Sequence, residues 1–565
     1  MSDRVEFLCN GAAVSVDAAP DVSLLSVLRE QLGLTSVKDG CAPQGQCGCC
    51  TVLVDGAARV ACVTPVARVA NREVTTVEGL PDAERDALSN AFVDAGGSQC
   101  GFCTPGIVMR AAALRASGKQ GTRAIDQALA AHLCRCTGWQ TIREAMTGDA
   151  PHDPARDLGA ATRRAELEGG VAQDVGVAVP LGGGGFADDA PPEGSLVAIP
   201  LPPGSEADSV EASGLSWVVD DTLDGARRRA GKVQGRRTSA GLRAALPLPE
   251  LPPRGIRLAT SWTEPAYLEP DASWCLPGGE PASPLGNGGA FGGKAHTPAG
   301  AAARELADRY GRAVRVVFSR EDVVRIGPKR PVFAASAVLD GDTVRLRGAC
   351  PVSVPSALAA YALDVDARWE IAEADGPAVS ADFRGFGLAE QALLVEGALD
   401  EAEVDRGAIV KEQCAGVLLA TCALAGTGAR AGARVSIDAA DGALGPVDIR
   451  VAAGDVLDEV TLRSYAIGAA HMALGWVLTE GIAVDPETGE VQDLTIRSFG
   501  VLRPRATPPI RVQIVADDGP PLARSSDAVF AAVAAATWNA LADAEGSRPE
   551  TFPAHWTRTA RMLRR

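Results

Sequence analysis

The placement of cysteine constrains this chain more than any other feature of its sequence. Nine of its 14 cysteines lie between Cys41 and Cys136, although the chain has 565 residues. A disulfide framework would be spread more evenly over a secreted protein of this length. In a reducing compartment, such clustering is typical of metal binding. We therefore expect a metal-binding part near the N-terminus.

Length and charge limit the function classes that remain. A chain of 565 residues has room for three or four domains at roughly 150 residues each. Its 54 Lys and Arg against 71 Asp and Glu give a net charge of −17, which argues against nucleic acid or an anionic membrane as the main partner. The sequence has neither a signal-peptide pattern nor a long apolar run. We expect a multidomain cytoplasmic protein without membrane insertion.

The first cysteine group has the spacing Cys41-x5-Cys47-x2-Cys50, followed by Cys62. This resembles the plant-type ferredoxin pattern with one extra residue in the first gap. The glycines of this loop allow backbone N–H groups to point at cluster sulfurs. Cys49 is then surplus and is predicted to pack as a small apolar residue. A structural zinc site is the alternative, although zinc sites rarely use such a glycine-rich loop.

A β-hairpin is predicted directly after this loop. The first arm is the alternating apolar run from Thr51 to Val54, and the turn is Asp55-Gly56. The second arm runs from Arg59 to Val63. The hairpin places Cys62 opposite the loop.

The second cysteine group pairs Cys100-x2-Cys103 with the distant Cys134-x-Cys136. Residues 107–117 and 124–133 have helical periodicity, and Pro105 suits the first turn of a helix. Two antiparallel helices would bring the two cysteine pairs together. The set alone is compatible with zinc, but after a ferredoxin-like module it favours a second 2Fe-2S cluster.

With both groups present, residues 1 to about 148 resemble the two-cluster part of the xanthine dehydrogenase, aldehyde oxidase and carbon monoxide dehydrogenase family of molybdenum hydroxylases. The resemblance implies two 2Fe-2S clusters in two domains, a β-grasp domain over residues 1–78 and a helical bundle over residues 79–148. It also implies that the bundle cluster lies nearest the pterin, with Gln99 facing it. The implied ligands are Cys41, Cys47, Cys50 and Cys62 for the first cluster, and Cys100, Cys103, Cys134 and Cys136 for the second.

The rest of the chain resembles the same family less completely. After a linker over residues 149–175, the resemblance implies a shortened molybdopterin-binding-like domain in two parts, 176–425 and 426–565, so that the whole chain is an α+β multidomain protein. The glycine-rich loop from Gly288 to Lys294 contributes Gly289, Phe291 and Gly292 as cofactor-binding candidates, and the Arg384-Gly-Phe-Gly sequence contributes Arg384. The cofactor would be molybdopterin, or its cytosine dinucleotide form, with molybdenum, and the sequence leaves open whether this chain binds it.

One departure from the family pattern concerns the catalytic base. The family places a Glu before a Pro-Pro-Leu segment near the C-terminus, and here that position holds Gly519. The adjacent Asp518 is the only catalytic candidate, although it is displaced and shorter. His471 lies on an Ala-rich helical face and is predicted to be a packed histidine rather than a ligand.

The missing domains predict partners. No FAD-binding or nicotinamide-binding domain is visible in the sequence, so electrons must enter or leave through another polypeptide, such as an FAD-binding subunit. Three hypotheses remain: an electron-transfer subunit that docks a separate catalytic molybdenum subunit, a working hydroxylase acting on an N-heterocycle or aldehyde, and a redox-sensing or assembly protein without turnover.

Overall fold

A computed structural model describes residues 3–150, 152–231, 241–355, 364–405 and 416–564. The N-terminal part forms a five-stranded sheet in the order β2-β1-β5-β3-β4. Its strands β1 and β5 are parallel, whereas the other neighbours are antiparallel. The strands are β1 (Asp3–Cys9), β2 (Ala12–Ala18), β3 (Thr51–Val54), β4 (Ala57–Val60) and β5 (Glu73–Thr75).

A short helical segment covers one face of this sheet. Helix α1 (Leu24–Ser26) continues into a π-helical turn, Val27–Gln31. Its side chains Leu24, Val27 and Leu28 are fully buried and belong to the same apolar core as the sheet. The predicted hairpin is present as β3 and β4.

Four helices form the next part of the chain. Helix α3 begins directly after Cys103 and has Pro105 in its first turn, where the missing proline N–H leaves no helical hydrogen bond unmade. The second predicted helix is shorter than expected and ends in a 3-10 turn, Leu129–Ala131. The helices are α2 (Asp82–Asp94), α3 (Thr104–Ala116), α4 (Thr122–Ala128) and α5 (Gln140–Thr147).

The segment 149–175, which the sequence predicts to be a linker, contains helix α6 (Leu158–Gly169). Asp157 caps its N-terminus by accepting from the N–H groups of Gly159 and Ala160. A fully buried ion pair joins Arg164 to Glu168 at 2.8 Å. This connection is therefore packed structure over at least the length of the helix.

The middle part of the chain holds two further sheets, in the orders β10-β11-β6-β8-β7 and β14-β13-β12-β9-β19. The edge strand β19 (Thr551–Phe552) comes from the C-terminal end of the chain. Its strands are β6 (Leu196–Pro200), β7 (Val210–Ala212), β8 (Leu215–Asp220), β9 (Ile256–Thr260), β10 (Ala272–Cys275), β11 (Val314–Val317), β12 (Ala334–Asp340), β13 (Thr343–Cys350) and β14 (Asp364–Ile371). Its helices are α7 (Leu223–Ala230), α8 (Ala299–Tyr310), α9 (Arg320–Ile326) and α10 (Leu388–Glu401).

The C-terminal part packs two long helices on a fourth sheet, ordered β15-β16-β17-β18. Both helices are apolar and Ala-rich on nearly all sides, which is the pattern of helices buried on every face, and they lie in the largest apolar core. The elements are β15 (Thr421–Leu424), β16 (Arg430–Ile437), β17 (Leu444–Ala452), α11 (Glu459–Leu478), β18 (Ile510–Ile514), α12 (Ser525–Glu545), β19 (Thr551–Phe552) and α13 (Arg558–Arg564).

Within the described ranges, no helix combines the length and apolar character that crossing a membrane requires.

Candidate functional site

Four cysteine thiols converge at the end of the first sheet. Cys41, Cys47 and Cys50 lie on the loop before β3, and Cys62 lies on a 3-10 turn after β4. All four are buried. The Cys41 thiol is within hydrogen-bonding reach of Cys47 and Cys62, and the Cys62 thiol reaches Cys50. The structure thus brings together the four ligands predicted for the first cluster.

Backbone N–H groups point at the sulfur atoms of this first thiol site. Those of Gln46 and Cys47 donate to Cys41 Sγ at 3.4 and 3.3 Å, and that of Cys62 donates to Cys50 Sγ at 3.4 Å. Hydrogen bonding from the Cys47 thiol lowers the pKa of Cys41 well below its ordinary value. Because hydrogen bonds to a thiolate favour the charged form, the loop is suited to hold metal-binding thiolates.

The surplus thiol of Cys49 is buried beside that of Cys47. Its Sγ donates to the Cys47 carbonyl oxygen at 3.9 Å. Of the two adjacent cysteines, Cys50 is the one that contacts Cys62. Its Sγ accepts the Cys62 N–H and lies within hydrogen-bonding reach of the Cys62 thiol.

A second set of four buried thiols lies at the N-terminal end of α3. The Sγ atoms of Cys100 and Cys136 are 3.5 Å apart, and the thiols of Cys103 and Cys134 are within hydrogen-bonding reach of each other. Hydrogen bonding from Cys103, supported by Thr137, lowers the pKa of Cys134 to about 7. The four ligands predicted for the second cluster are thus also brought together.

The two thiol sites meet across a contact that only glycine allows. Gly106 of α3 packs on the carbonyl oxygens of Gly48 and Cys49, and a Cβ at this position would overlap the first and lie 2.8 Å from the second. No Cβ contact is normally that short. The helix carrying one site therefore packs directly on the loop carrying the other.

Gln99 and Gly289, both predicted to bind a cofactor, lie against the second thiol site. The Gln99 side-chain amide donates to the Cys136 carbonyl oxygen at 3.0 Å and to Ser464 Oγ at 2.9 Å. Gly289 has a φ of +84°, and a Cβ there would lie 2.9 Å from Cys100 Sγ. The glycine-rich loop thus lies against the thiols themselves.

The other three cofactor candidates also contact protein. A Cβ on Gly292 would overlap the carbonyl oxygen of Asp382. Phe291 has a φ of +54°, a backbone conformation that bulky residues rarely adopt. The Arg384 guanidinium lies 5.5 Å from the centre of the Phe291 ring, within the range of a cation–π contact.

A small cavity of about 60 Å³ remains beside Cys136 and Gln99. Its lining combines aromatic side chains with charges of both signs. The charged lining residues are Arg135, Arg330, Arg384, Glu264, Glu480 and Asp527.

Most of these charges are paired, either with each other or with a charge just outside the lining. Arg135 binds both carboxylate oxygens of Glu480 at 2.6 Å, and the two side chains are 4% and 1% exposed. Arg330 pairs with Glu390 at 2.6 Å and stacks 4.8 Å from the Trp476 ring. The cavity is therefore lined by compensated charges.

Asp527 is a cavity carboxylate that the sequence analysis did not single out. It lies in the first turn of α12, with Oδ1 at 3.8 Å from Arg384 Nε, and burial raises its pKa. An acidic residue at the start of a long buried helix was the sequence signal that could have identified it.

The predicted catalytic candidate Asp518 is exposed and is not part of the cavity lining. The segment after it forms a surface turn in which the Leu522 N–H donates to the Ala453 carbonyl oxygen at 2.8 Å. The structure therefore separates this carboxylate from the other candidates of the site.

His471 is fully buried on α11, and its Nε2 lies 3.2 Å from the Leu502 carbonyl oxygen. Burial lowers its pKa to about 3. The side chain is a packed, uncharged histidine, as the sequence predicts.

The cavity in this arrangement does not fit molybdopterin. Pockets that bind cofactors are usually about 300–1,000 Å³ in volume, whereas this cavity has about 60 Å³. Two of the cofactor candidates are also covered by protein, since Gly289 lies on Cys100 and Gly292 lies on Asp382. No reaction step through this cofactor follows from the geometry.

Comparisons with known proteins agree with this organisation. The [2Fe-2S] binding domain family matches residues 76–147. The chain is 40% identical over 139 residues to the nicotinate dehydrogenase small FeS subunit of Eubacterium barkeri, covering 24% of this chain and 88% of that protein. It is 42% identical over 144 residues to the xanthine dehydrogenase iron-sulfur-binding subunit of Escherichia coli, covering 24% of this chain and 88% of that protein.

The fold extends this likeness beyond the iron-sulfur part. The solved structure of aldehyde oxidoreductase from Desulfovibrio gigas matches with a TM-score of 0.73 at 16% identity, and the match covers 100% of both chains. The predicted α+β multidomain architecture, with 2Fe-2S and molybdopterin-binding-like domains, is confirmed. This chain therefore belongs to the xanthine dehydrogenase and aldehyde oxidase family of oxidoreductases.

Proposed function

We propose that this chain is the iron-sulfur electron-transfer subunit of a multisubunit, cytoplasmic oxidoreductase of the molybdenum hydroxylase type. It would carry electrons from a molybdenum centre on a separate catalytic subunit to an FAD-binding subunit or another acceptor. The observation that carries the proposal is a pair of buried four-thiol sites whose supporting helix and loop pack on each other, next to a cavity with little free volume.

The residues of the two thiol sites support such a path. When bound, each 2Fe-2S cluster would take up and release one electron at a time. Cys41, Cys47, Cys50 and Cys62 would hold the first cluster, and Cys100, Cys103, Cys134 and Cys136 the second. Burial of all eight thiols excludes water, and the Gly106 contact keeps the two sites close.

The small volume of the cavity favours a molybdenum centre on another chain. The surroundings of Gln99 and Gly289 leave no space between the glycine-rich loop and the second thiol site. In this proposal, the molybdopterin-binding-like domain acts as a scaffold that covers the second site and docks the catalytic subunit.

Metal analysis of the purified chain tests the proposal. We expect iron and acid-labile sulfide in the amounts that two 2Fe-2S clusters require, two separable EPR signals on reduction, and little molybdenum. Hydroxylase activity should appear only after a catalytic molybdenum subunit and a flavoprotein are added. Zinc in place of iron would contradict the assignment of both sites.

A second candidate, hydroxylation of an N-heterocycle or aldehyde by this chain itself, is favoured by one observation. Asp527 places a carboxylate with a raised pKa in the cavity, within 3.8 Å of Arg384, and a carboxylate is a suitable general base. Near-stoichiometric molybdenum with turnover that is lost in Asp527→Asn would support this candidate and overturn the first.

A further inference from the structure

A wide cleft of about 800 Å³ lies near the first thiol site, and three arginines line it. We call it the arginine cleft, defined by Arg497, Arg503 and Arg564. Hydroxyl groups of Thr479, Thr495 and Ser498 also line it. All three arginines are exposed.

The arginine cleft is a concentration of positive charge on an acidic protein. The net charge of the chain is −17, yet within the described residues none of the three arginines forms an ion pair. All three guanidinium groups line the same cleft. Partial desolvation, together with repulsion from Arg497 and Arg505, lowers the pKa of Arg503.

Asp493, the one carboxylate among the described lining residues, is buried and accepts the Ala483 N–H at 2.8 Å. Mutual repulsion among the guanidinium groups of the arginine cleft destabilises the isolated chain. An anionic partner bound in the cleft would reduce this repulsion.

Two glutamines of the cluster-binding loop, Gln46 and Gln44, link the first thiol site to the segment that carries Arg497. The backbone N–H of Gln46 donates to Cys41 Sγ at 3.4 Å, while its side-chain Oε1 accepts the Arg497 N–H at 3.1 Å. Gln44 makes a second link, since its Oε1 accepts the Ile496 N–H at 3.0 Å. The cleft is therefore a place where solvent comes within one residue of a predicted cluster ligand.

We propose that the arginine cleft is the docking surface for an electron-accepting protein with an acidic face, and that electrons leave the chain there. The inference rests on the proposed electron-transfer function. It adds that the C-terminal part, through Arg497 and Arg503, selects the acceptor by charge. Complementary charge at a docking surface raises the rate of encounter more than it raises affinity, and the effect is screened by salt.

Acceptors of opposite charge test this selection. The intact chain is reduced with dithionite, and its reoxidation is followed by stopped flow with ferricyanide, an anion that takes one electron to become ferrocyanide, and with a cationic cobalt(III) complex reduced to cobalt(II). At low ionic strength, we expect Arg497→Gln/Arg503→Gln to slow the ferricyanide reaction by about tenfold or more. The cationic acceptor should not be slowed, and the difference should vanish near 1 M salt, where the Debye length is about 3 Å.

A binding measurement completes the test without electron transfer. The oxidised chain is immobilised, and its dissociation constant for an acidic flavodoxin is measured at low and high salt. We expect weaker, less salt-dependent binding in the double variant. Arg163→Gln/Arg434→Gln, at two exposed arginines outside the cleft, changes the net charge equally and should leave rates and binding unchanged.

The outcomes separate this inference from the proposed function. If both EPR signals are present but the double variant matches its control, the cleft is not the docking surface. The same holds if both acceptors are slowed equally, or if the cleft binds free FMN while flavodoxin binding is unchanged. If the EPR signals themselves are absent from the parent chain, the proposed function fails instead.

Discussion

Two adjacent cysteines at the first thiol site show how much depends on a single position. Cys49 and Cys50 are both buried, and both lie within reach of a site that needs four thiolates. Cys50 accepts the N–H group of Cys62 at 3.4 Å, whereas the Cys49 thiol donates to the Cys47 carbonyl oxygen at 3.9 Å. The neighbour that contacts the fourth thiol is the one suited to be a ligand.

We predict that Cys49→Ala retains both 2Fe-2S clusters, while Cys50→Ala loses the first. Alanine removes a thiol of similar size and burial in both cases, so each variant is the control for the other. EPR spectra of the reduced proteins should show two signals for Cys49→Ala and one for Cys50→Ala. Loss of visible absorbance in Cys49→Ala would mean that the ligand position is assigned to the wrong cysteine.

A second residue-scale prediction concerns pH. Burial lowers the pKa of His471 to about 3, whereas an unfolded histidine titrates near 6.5. The unfolded chain therefore binds more protons between these values, so the stabilisation is complete above pH 6.5 and is lost as pH falls toward 3. The slope is about 1.4 kcal/mol per pH unit for one such group.

His471→Gln should accordingly show a smaller drop in its urea unfolding midpoint between pH 7.5 and pH 5 than the parent chain. Glutamine keeps a side-chain donor near the Leu502 carbonyl oxygen but does not titrate. An unchanged pH dependence would show that folding does not lower the pKa of this histidine.

These residues also show which parts of the site the sequence could predict. The eight thiols were predictable because local spacing and two short elements bring each set together. Asp527 was not, because its approach to Arg384 joins residues 143 positions apart and depends on how α12 packs in the core. Asp518 was predicted because it lies close to the Pro-Pro-Leu segment in the sequence, but in this chain that segment forms a surface turn.

At the scale of elements, helix α11 connects the second thiol site to the C-terminal core. Its Ser464 accepts from Gln99 at 2.9 Å, and its Gly468 packs on the Cys136 carbonyl oxygen. The helical character of this segment was predictable from its apolar pattern, but its partner was not, because that contact joins distant parts of the chain. Helices that are apolar on all sides do not specify which neighbour they will pack against.

We predict that Gly468→Ala destabilises the chain and disturbs the second cluster. Alanine normally stabilises a helix interior by about 1 kcal/mol relative to glycine, but here its Cβ would overlap the Cys136 carbonyl oxygen. The thermal midpoint should fall, and the EPR signal of the second cluster should shift or broaden.

Gly176→Ala is the matched control, because no atom lies within 4 Å of the added Cβ at that position. A Gly468→Ala protein that is more stable than its parent, with an unchanged spectrum, would show that α11 does not press on the thiol site.

At the scale of the whole molecule, the iron-sulfur part is embedded in the rest of the chain. The Trp139 indole N–H donates to the Leu502 carbonyl oxygen at 3.0 Å, and Arg143 also bonds to the C-terminal half. Arg156, in the segment that follows, does the same. The sequence predicted a linker between separate domains, since composition shifts there toward residues typical of loops. Composition reports local flexibility, however, and carries no information about these long-range contacts.

A further connection is the buried pair of Arg135 and Glu480, which leads to our last prediction. Arg135 lies between two predicted cluster ligands, and its guanidinium also donates to the Pro265 carbonyl oxygen at 3.0 Å. Glu480→Gln would leave this cation buried without its counter-charge. Removing one partner of a buried pair typically costs about 3–5 kcal/mol, whereas replacing both by apolar residues is often neutral.

We therefore expect Glu480→Gln to unfold at a clearly lower temperature, and Arg135→Met/Glu480→Leu to recover most of the difference. Circular dichroism would follow unfolding, and iron content would show whether the second cluster is retained. Because the pair joins the cluster loop to the end of α11, iron from the second site should be lost in Glu480→Gln at the temperature at which the core unfolds. Loss of that iron well below core unfolding would show instead that the two halves of the molecule are only loosely coupled.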